Sequence, residues 1–520
     1  MKKKLLFATV TPAIAASVLL AGCFGSAPQE TTVTESVTVT ESTEETAAST
    51  SGQSASASVP NVENTTIDIA NMFTDRDLVQ TFDEAGAVTV NLNSPSNADG
   101  VSVSGDTITI SKEGVYILTG TLANGTVKVE GADTDKIQLV LDNASINSNS
   151  YAGIYVKNAD KVFITTKEGT TNTVSNGGTF TQTDDSNVDG AIFAKDTITL
   201  NGKGTLNVTS KSGHGIVSKD NVKITGGTLN VDSADSGIQG KDSVRIAGGD
   251  INIKAAQDAI HSENDEDATK GFVYIQDGNV TIDAYDDAIH AGPEILIAGG
   301  NIKITNCYEG YEADIVNIAG GSSDVTASDD ATNAMNTLRI SDGKVYLNAG
   351  GDALDSNGDI IITGGETYAS GSTNNGDSVL DYDGKASISG GILVATGMSG
   401  MAQNMGSEST QGSILTATQN QSAGTTIEIK DESGNTLCSY TAPKAYDSVV
   451  ISAPEIKKGG TYTVTAGTSS TDIVMNDIIY GTGMMGGMPG GMQGGRPNGQ
   501  MDSPNLKDDP RTLNDESKRR

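Results

Sequence analysis

The tetrapeptide Asp-Ala-Ile-His occurs twice, at Asp258–His261 and at Asp287–His290, with an acidic insertion, Glu263–Asp267, between them. A carboxylate and an imidazole three residues apart are raw material for acid–base catalysis or for a metal site. Neighbouring segments extend the pattern. Stepping back two residues from a recurring apolar anchor (Ile216, Ile238, Ile260, Ile289, Leu354) gives His214, Ser236, Asp258, Asp287, Glu309, Asp330, Asp352 and, after a small insertion, Asp377. Three of these positions are preceded by a further acid, Asp235, Asp286 and Asp329, and Asp355 follows Asp352. Taken singly, each is equally a turn residue, because Asp bonds its own backbone and tolerates left-handed conformations.

The elements that must position these residues repeat. Glycines closing a pair or near-pair recur at Gly227, Gly249, Gly278, Gly300, Gly321, Gly343, Gly365 and Gly391, at spacings of 22, 29, 22, 21, 22, 22 and 26. A period near 22 with occasional insertions marks a solenoid. After the glycines comes an alternating strand (Leu229/Val231, Ile251/Ile253, Val280/Ile282), then the anchored acidic segment, then a second alternating strand (Val222/Ile224, Val244/Ile246, Ile295/Ile297). Alternation puts one face inward and one outward. Three short strands per turn, with turns stacked, predict an all-β parallel β-helix whose coils run about 22 residues. Residues 101–200 carry the same strand style with wider coils. Longer strands at 413–480 predict a small C-terminal β cap, which a solenoid needs to cover its open edge.

Composition agrees and excludes. The chain of 520 residues has 62 glycines, no tryptophan and a formal charge of −33, which suits many short strands and disfavours nucleic acid as a partner. An acidic surface invites cations, or anions bridged by cations. Lys2–Lys4, a short apolar run and Leu20-Ala21-Gly22-Cys23 resemble a bacterial lipobox, predicting a signal peptide over 1–23. Lipidation at Cys23 would hold the exported protein on the outer face of the cytoplasmic membrane. Residues 24–66 read as a disordered Ser/Thr/Glu-rich tether, 67–412 as the β-helix, and 481–520 as a disordered Met/Gly-rich and polar tail. Cys307 and Cys438 match no metal spacing and read as free thiols. A monomer is expected.

The stretches KIQLVLDNASI, ADKVFITTKEGTTNTVS, NVDGAIFAKDTITLNGKGTLNV, GHGIVSKDNVKITGGTLNV and DAIHSENDEDATKGFVYI, within roughly residues 85–470, resemble a clostridial family. Its members are extracellular carbohydrate-binding proteins that bind acidic polysaccharide and cellulose. The resemblance implies a right-handed parallel β-helix with bound calcium. It also implies kinship in fold with pectate-lyase-like enzymes, without established catalysis.

Stacked coils place equivalent side chains about 4.8 Å apart. Two carboxylates at that distance repel by roughly 1 kcal/mol in water and severalfold more at an effective dielectric near 20. Such a column raises its own pKa values or recruits cations. Calcium, which takes six to eight oxygens in flexible geometry, is the expected ion. The candidate ligands are Asp235, Asp258, Asp286, Asp287, Glu309, Asp330, Asp352 and Asp355, with Asp265 and Asp267 from the insertion as a cap. His261 and His290 are equivalent on adjacent coils and are expected to stack; zinc fits their spacing poorly. Tyr285, Tyr308 and Tyr311 are candidate glycan contacts.

Non-catalytic binding of an acidic, polygalacturonate-like polysaccharide is therefore expected. A calcium-dependent lyase and a surface spacer or adhesin are the alternatives. A lyase needs a basic residue to abstract the proton beside the uronate carboxyl. Of its candidates, Arg245 and Arg339 fall on the third strand away from the acidic turns, while Lys219 and Lys241 lie closer but read as corner residues paired to Asp220 and Asp242.

Overall fold

The alternating pattern and the glycine period together fix how each coil closes and what it stacks upon. The computed structural model describes Val62 and residues 64–481, all within one of the chain's two units, Ser58–Arg520. The signal peptide with Cys23, the tether over 24–61 with Glu63, and the tail from 482 onward lie outside the described residues.

The chain winds into a parallel β-helix with three sheets. The turn sheet contains His214–Ser218, Ile238–Gly240, Ile260–Ser262, Ile289–Ala291, Leu354–Ser356 and Leu380–Tyr382. The strap sheet, next along each coil, contains Asn221–Ile224, Ser243–Ile246, Phe272–Ile275, Glu294–Ile297 and Asp359–Ile362. Tyr311–Ile318 and Asn333–Ile340 run through the corner between these two sheets. The glycine sheet, which completes the coil, contains Thr228–Ser233, Asp250–Ala255, Asn279–Ala284, Asn301–Asn306, Ser322–Ala327, Lys344–Ala349 and Glu366–Ser370.

Register is kept coil after coil. Ile216 pairs Ile238, Ile238 pairs Ile260, and Ile260 pairs Ile289 across the acidic insertion, which loops out between Ser262 and Phe272. Ile238, Ile246, Ile260, Ile275 and Ile289 are fully buried, each worth roughly 1.5–3 kcal/mol of hydrophobic stabilisation. The glycines serve the corner in two ways. Gly278 and Gly300 have φ of 115° and 83°, where a side chain is strained. A Cβ on Gly300 would also lie 2.7 Å from the carbonyl oxygen of Gly278 on the coil below.

Both ends of the solenoid are closed by antiparallel pairing. Val101–Ser104 folds back on Thr107–Ile110 at the first coils. At the far end Tyr446–Ser452 pairs antiparallel with Ile392–Gly397 and with Ser413–Gln421. A separate four-stranded sheet (Thr426–Asp431, Thr436–Thr441, Thr461–Ala466, Ser469–Val474) has its own core around Ile429, Tyr462 and Ile473. Cys307 and Cys438 are free and buried.

An element without strand pattern, residues 66–81, lies across the outer face of the strap sheet. Thr66 donates from its backbone N and its Oγ1 to Glu294 at 2.7 and 2.5 Å. Further along, Arg245 Nη1 donates to Met72 O at 3.0 Å, and Gly202 N donates to Gln80 Oε1 at 2.8 Å. The anchor is Asp77, fully buried between Lys161 and Lys223, each with its Nζ 3.0 Å from a carboxylate oxygen. Burial alone would raise this carboxyl, but Lys223, the Thr74 N–H and Lys161 hold it below the ordinary carboxylate range. Removing its charge leaves the buried Lys223 ammonium and the partly buried Lys161 ammonium without this counter-ion. Asp77→Asn is therefore expected to destabilise the protein by about 3 kcal/mol or more. The expected readout is faster limited proteolysis within residues 66–81 and a lower melting temperature; neither changing would contradict an ion-paired anchor.

Candidate functional site

The corner that leads from the glycine sheet into the turn sheet carries the acids. Its chemistry begins with a backbone problem: each turn presents an N–H that must find an acceptor on the coil beneath it. The carboxylate two residues before the anchor supplies it. Asp287 N donates to Asp258 Oδ1 and Glu309 N to Asp287 Oδ1, both at 3.2 Å. Asp352 N donates to Asp330 Oδ1 at 2.6 Å, and Ser378 N to Asp352 Oδ1 at 2.5 Å. The chain of bonds skips once, at Glu309, whose longer side chain instead accepts from Asn333 Nδ2 at 2.9 Å. One oxygen of each Asp is thus structural, and the second is left for other work.

A parallel column lies one residue after the anchor. Strand register aligns Gln239, His261, His290, Glu312, Asn333, Asp355 and Asp381 on successive coils. The two columns form the walls of a polar trough along the corner, and its character changes along its length. At the end nearer the N-terminus imidazoles contact the acids. His261 Nδ1 lies 2.8 Å from Asp258 Oδ2, and His290 Nδ1 lies 2.7 Å from Glu312 Oε2 and 3.5 Å from Asp287 Oδ2. The two rings stack at 4.9 Å between centroids with 14° between planes, as expected for equivalent positions on neighbouring coils. Burial opposes charge on His290, yet Asp287 and Glu312 outweigh it and hold the imidazole above its ordinary range.

At the other end no imidazole intervenes. Asp352, Asp355 and Asp381 bring carboxylate oxygens within 4.8 Å of one another. The lysines nearest in sequence pair elsewhere, Lys344 with Glu366 and Lys385 with Glu408. Gly351 makes room in the same wall, since a Cβ there would stand 2.4 Å from Asp330 Oδ1 and 2.7 Å from Asp329 Oδ1. Burial, then neighbouring carboxylates, push Asp352 and Asp355 up to about 7 and Asp330 to about 6. Glu309 is pushed to about 7 by the same two causes. This all-oxygen set matches the donors of a hard divalent cation; at the histidine end Asp258 belongs both to an all-carboxylate group with Asp286 and Asp287 and to a mixed nitrogen–oxygen group with His261 and His290.

The residues singled out from the sequence divide accordingly. Asp258, Asp286 and Asp287 come together with oxygens within 4.8 Å, as do Asp352 and Asp355 with Asp381. Glu309 and Asp330 line the trough between these groups. Asp235 starts the wall, accepting from Ser236 N at 3.1 Å and lying 3.8 Å from His214 Nε2. Asp265 and Asp267 stand apart. Asp267 Oδ1 accepts from Thr269 N and Oγ1 at 3.0 and 2.7 Å, and the loop is tied to the next corner by Glu266–Lys241 and Lys270–Asp242 contacts of 2.7 Å.

Four expectations change. Tyr311 is fully buried in the core with its hydroxyl 3.1 Å from Ser323 Oγ, because its position is an inward anchor. Tyr285 is 80% exposed and Tyr308 half-buried. Position 377 gives way to Ser378, since Leu354 pairs Leu380 and the insertion ends one residue later than read. Lys241 pairs with Glu266 and Lys219 stacks over Phe193 at 5.4 Å, not with Asp242 and Asp220. Finally Glu312 and Asp381 belong to the trough. Their signal was present as the position after the anchor, already marked by the two histidines.

The raised acids have a signed consequence. Unfolded carboxyls lose their protons near pH 4, while these keep theirs to about pH 6–7. Between those limits the folded state binds more protons, so these groups make stability fall as pH rises. Metal-free protein is expected to lose melting temperature from about pH 5 to about pH 8 relative to an Asp352→Asn, Asp355→Asn variant. Parallel pH profiles for the two proteins would contradict the crowding.

A family model described as "Carbohydrate-binding domain-containing protein" matches residues 104–376. A carbohydrate-binding domain-containing protein of Acetivibrio thermocellus is 35% identical over 137 residues, 26% of this chain and 48% of its own. The chain thus spans about half the length of this relative. A solved polysaccharide lyase-like protein from C. thermocellum, a gadolinium derivative, is 33% identical and is matched over 45% of this chain and 96% of its own, with a TM-score of 0.43.

Proposed function

This chain belongs to the family of carbohydrate-binding domain-containing proteins, and from that premise we propose that it binds an acidic polysaccharide, of polygalacturonate type, at the carboxylate trough without cleaving it. The observation that carries the reading is the group Asp352, Asp355 and Asp381, with oxygens within 4.8 Å of one another. Among the described residues no lysine or arginine pairs with any of the three. Calcium is the ion proposed there, since hard oxygen donors in a flexible arrangement suit it. When bound it would supply the positive charge that lets a uronate carboxylate approach a surface of its own sign. Asp330, over Gly351, and Glu309 extend the same wall, and Tyr308 beside it offers an aromatic contact. Asp258 and Asp287 already have His261 and His290 against a carboxylate oxygen, which leaves them less open to a cation.

The binding reading is favoured over a lyase by where the basic groups are. Arg245 is engaged by the segment across the strap sheet and Arg339 by the residues just before it, donating to Met72 O and Asn64 O at 3.0 Å. Lys241 and Lys270 are engaged by Glu266 and Asp242. None is presented to the trough as a base. Leu20-Ala21-Gly22-Cys23 supports export and lipid anchoring at Cys23, which would set a monomeric binding module on the cell surface. A spacer without ligand affinity is the remaining alternative.

The test is retention of the protein on polygalacturonate, with calcium and with EGTA, while following ultraviolet absorbance for unsaturated uronate. Retention with calcium, its loss in EGTA, and about tenfold weaker binding by Asp352→Asn with Asp355→Asn are expected. No unsaturated product should form. Product would turn the reading to the lyase, and absence of retention under both conditions would leave the spacer.

A further inference from the structure

The cleft between the glycine sheet and the C-terminal cap is unlike the trough. Register places Asp324, Tyr346 and Tyr368 on successive coils, pointing outward. The Tyr346 and Tyr368 rings stack at 5.2 Å between centroids with 17° between planes. A third ring, Tyr440 from the cap strand Thr436–Thr441, stands 5.5 Å from Tyr368 at 31°. The sheet and the cap enclose about 770 Å³, lined by these tyrosines with Asp324, Lys344 and Asn348 among others.

We propose that this cleft is a second glycan subsite, taking a neutral pyranose ring by stacking and needing no metal. Its premise is the polysaccharide-binding reading of the chain. The C–H face of a pyranose is apolar and fits an aromatic surface, while its rim of hydroxyls needs a few fixed polar partners. Both are present. Tyr346, Tyr368 and Tyr440 are each only half-buried, so ring surface remains open to the cleft. Lys344 Nζ sits 5.6 and 5.9 Å from the Tyr346 and Tyr368 centroids and 3.2 Å from Glu366. Asn348 contributes an amide whose buried Oδ1 has no hydrogen-bond partner among the described residues. The volume lies in the range of small-ligand sites. Lys344 is paired with Glu366 and Lys444 donates to Ala349 O, so neither cation is free to take a uronate. The Asp324 carboxylate lines the cleft and disfavours one; a neutral sugar meets neither obstacle. The third ring comes from the cap: Tyr440 packs against the cap core and its hydroxyl lies 3.1 Å from Ser370 Oγ, so its ring is held in a fixed place beside the stacked pair.

The experiment is isothermal titration calorimetry in EGTA with two neutral hexasaccharides, cellohexaose and mannohexaose, and separately with oligogalacturonate in calcium. Wild type is expected to bind at least one neutral probe in EGTA. Tyr346→Ala and Tyr440→Ala are each expected to weaken it about tenfold, and Tyr346→Phe to retain it. Asp352→Asn should leave neutral binding unchanged while weakening oligogalacturonate. Tyr440→Ala, on the cap, keeps the test intact if Tyr346→Ala fails to fold. Neutral binding that survives both alanine variants overturns the subsite. So does wild type binding oligogalacturonate but no neutral probe, which leaves the trough standing. Binding of neither glycan removes the polysaccharide-binding reading and the subsite together.

Discussion

Stacking one coil on the next in fixed register places every side chain a single strand spacing, about 4.8 Å, from its equivalent. Everything distinctive in this protein follows from that constraint. For isoleucine it yields a continuous dry core, with Ile216, Ile238, Ile260 and Ile289 in one buried ladder. For glycine it yields corners so close that a Cβ would strike the neighbouring backbone. For carboxylates it yields a conflict, because like charges are forced together at a distance where they repel.

The fold tolerates that conflict by giving each acid a structural task and then varying its neighbours. One oxygen of Asp258, Asp287, Asp330 and Asp352 satisfies the backbone N–H of the following coil. Hydrogen bonding to the ionised form and repulsion between neighbours therefore act in opposite directions on the same groups. Where His261 and His290 face the acids, imidazole nitrogens meet some of the carboxylates, though burial still pushes Asp287 well above the ordinary carboxylate range. Where Asp355 and Asp381 face them there is no imidazole, and burial pushes Asp352 and Asp355 up to about 7. A cation is best served at the second end, where the facing side chains are all carboxylates. The trough is thus graded along its length, which a count of acidic residues would miss.

The architecture was legible because its signal is repetition: eight glycines at a near-constant spacing, each with positive φ in the structure, fix the coil and its register. The histidine stack was legible for the same reason. Features that break the repeat were harder to read. Asp381 follows a 26-residue coil whose insertion hides its alignment with Asp355, and the position taken for Asp377 belongs to Ser378. Tyr311 has the composition of a sugar contact, but it occupies an inward anchor position. The strap at 66–81 has neither strand nor helix periodicity; its information lies in single polar contacts, such as Asp77 with Lys161 and Lys223, far apart in sequence. The tyrosine cleft depends on Tyr440 arriving from the cap, which no period in the coils encodes.

The central claim is that the acid-only end of the trough is a cation site. Anomalous diffraction from crystals of metal-stripped protein, grown with and without calcium, tests it most directly. The expected result is a calcium-dependent peak at about 2.3–2.6 Å from oxygens of Asp352, Asp355 and Asp381, and none beside the His261–His290 stack. Crystals grown in calcium with no peak there, and with those carboxylates unmoved, would contradict it.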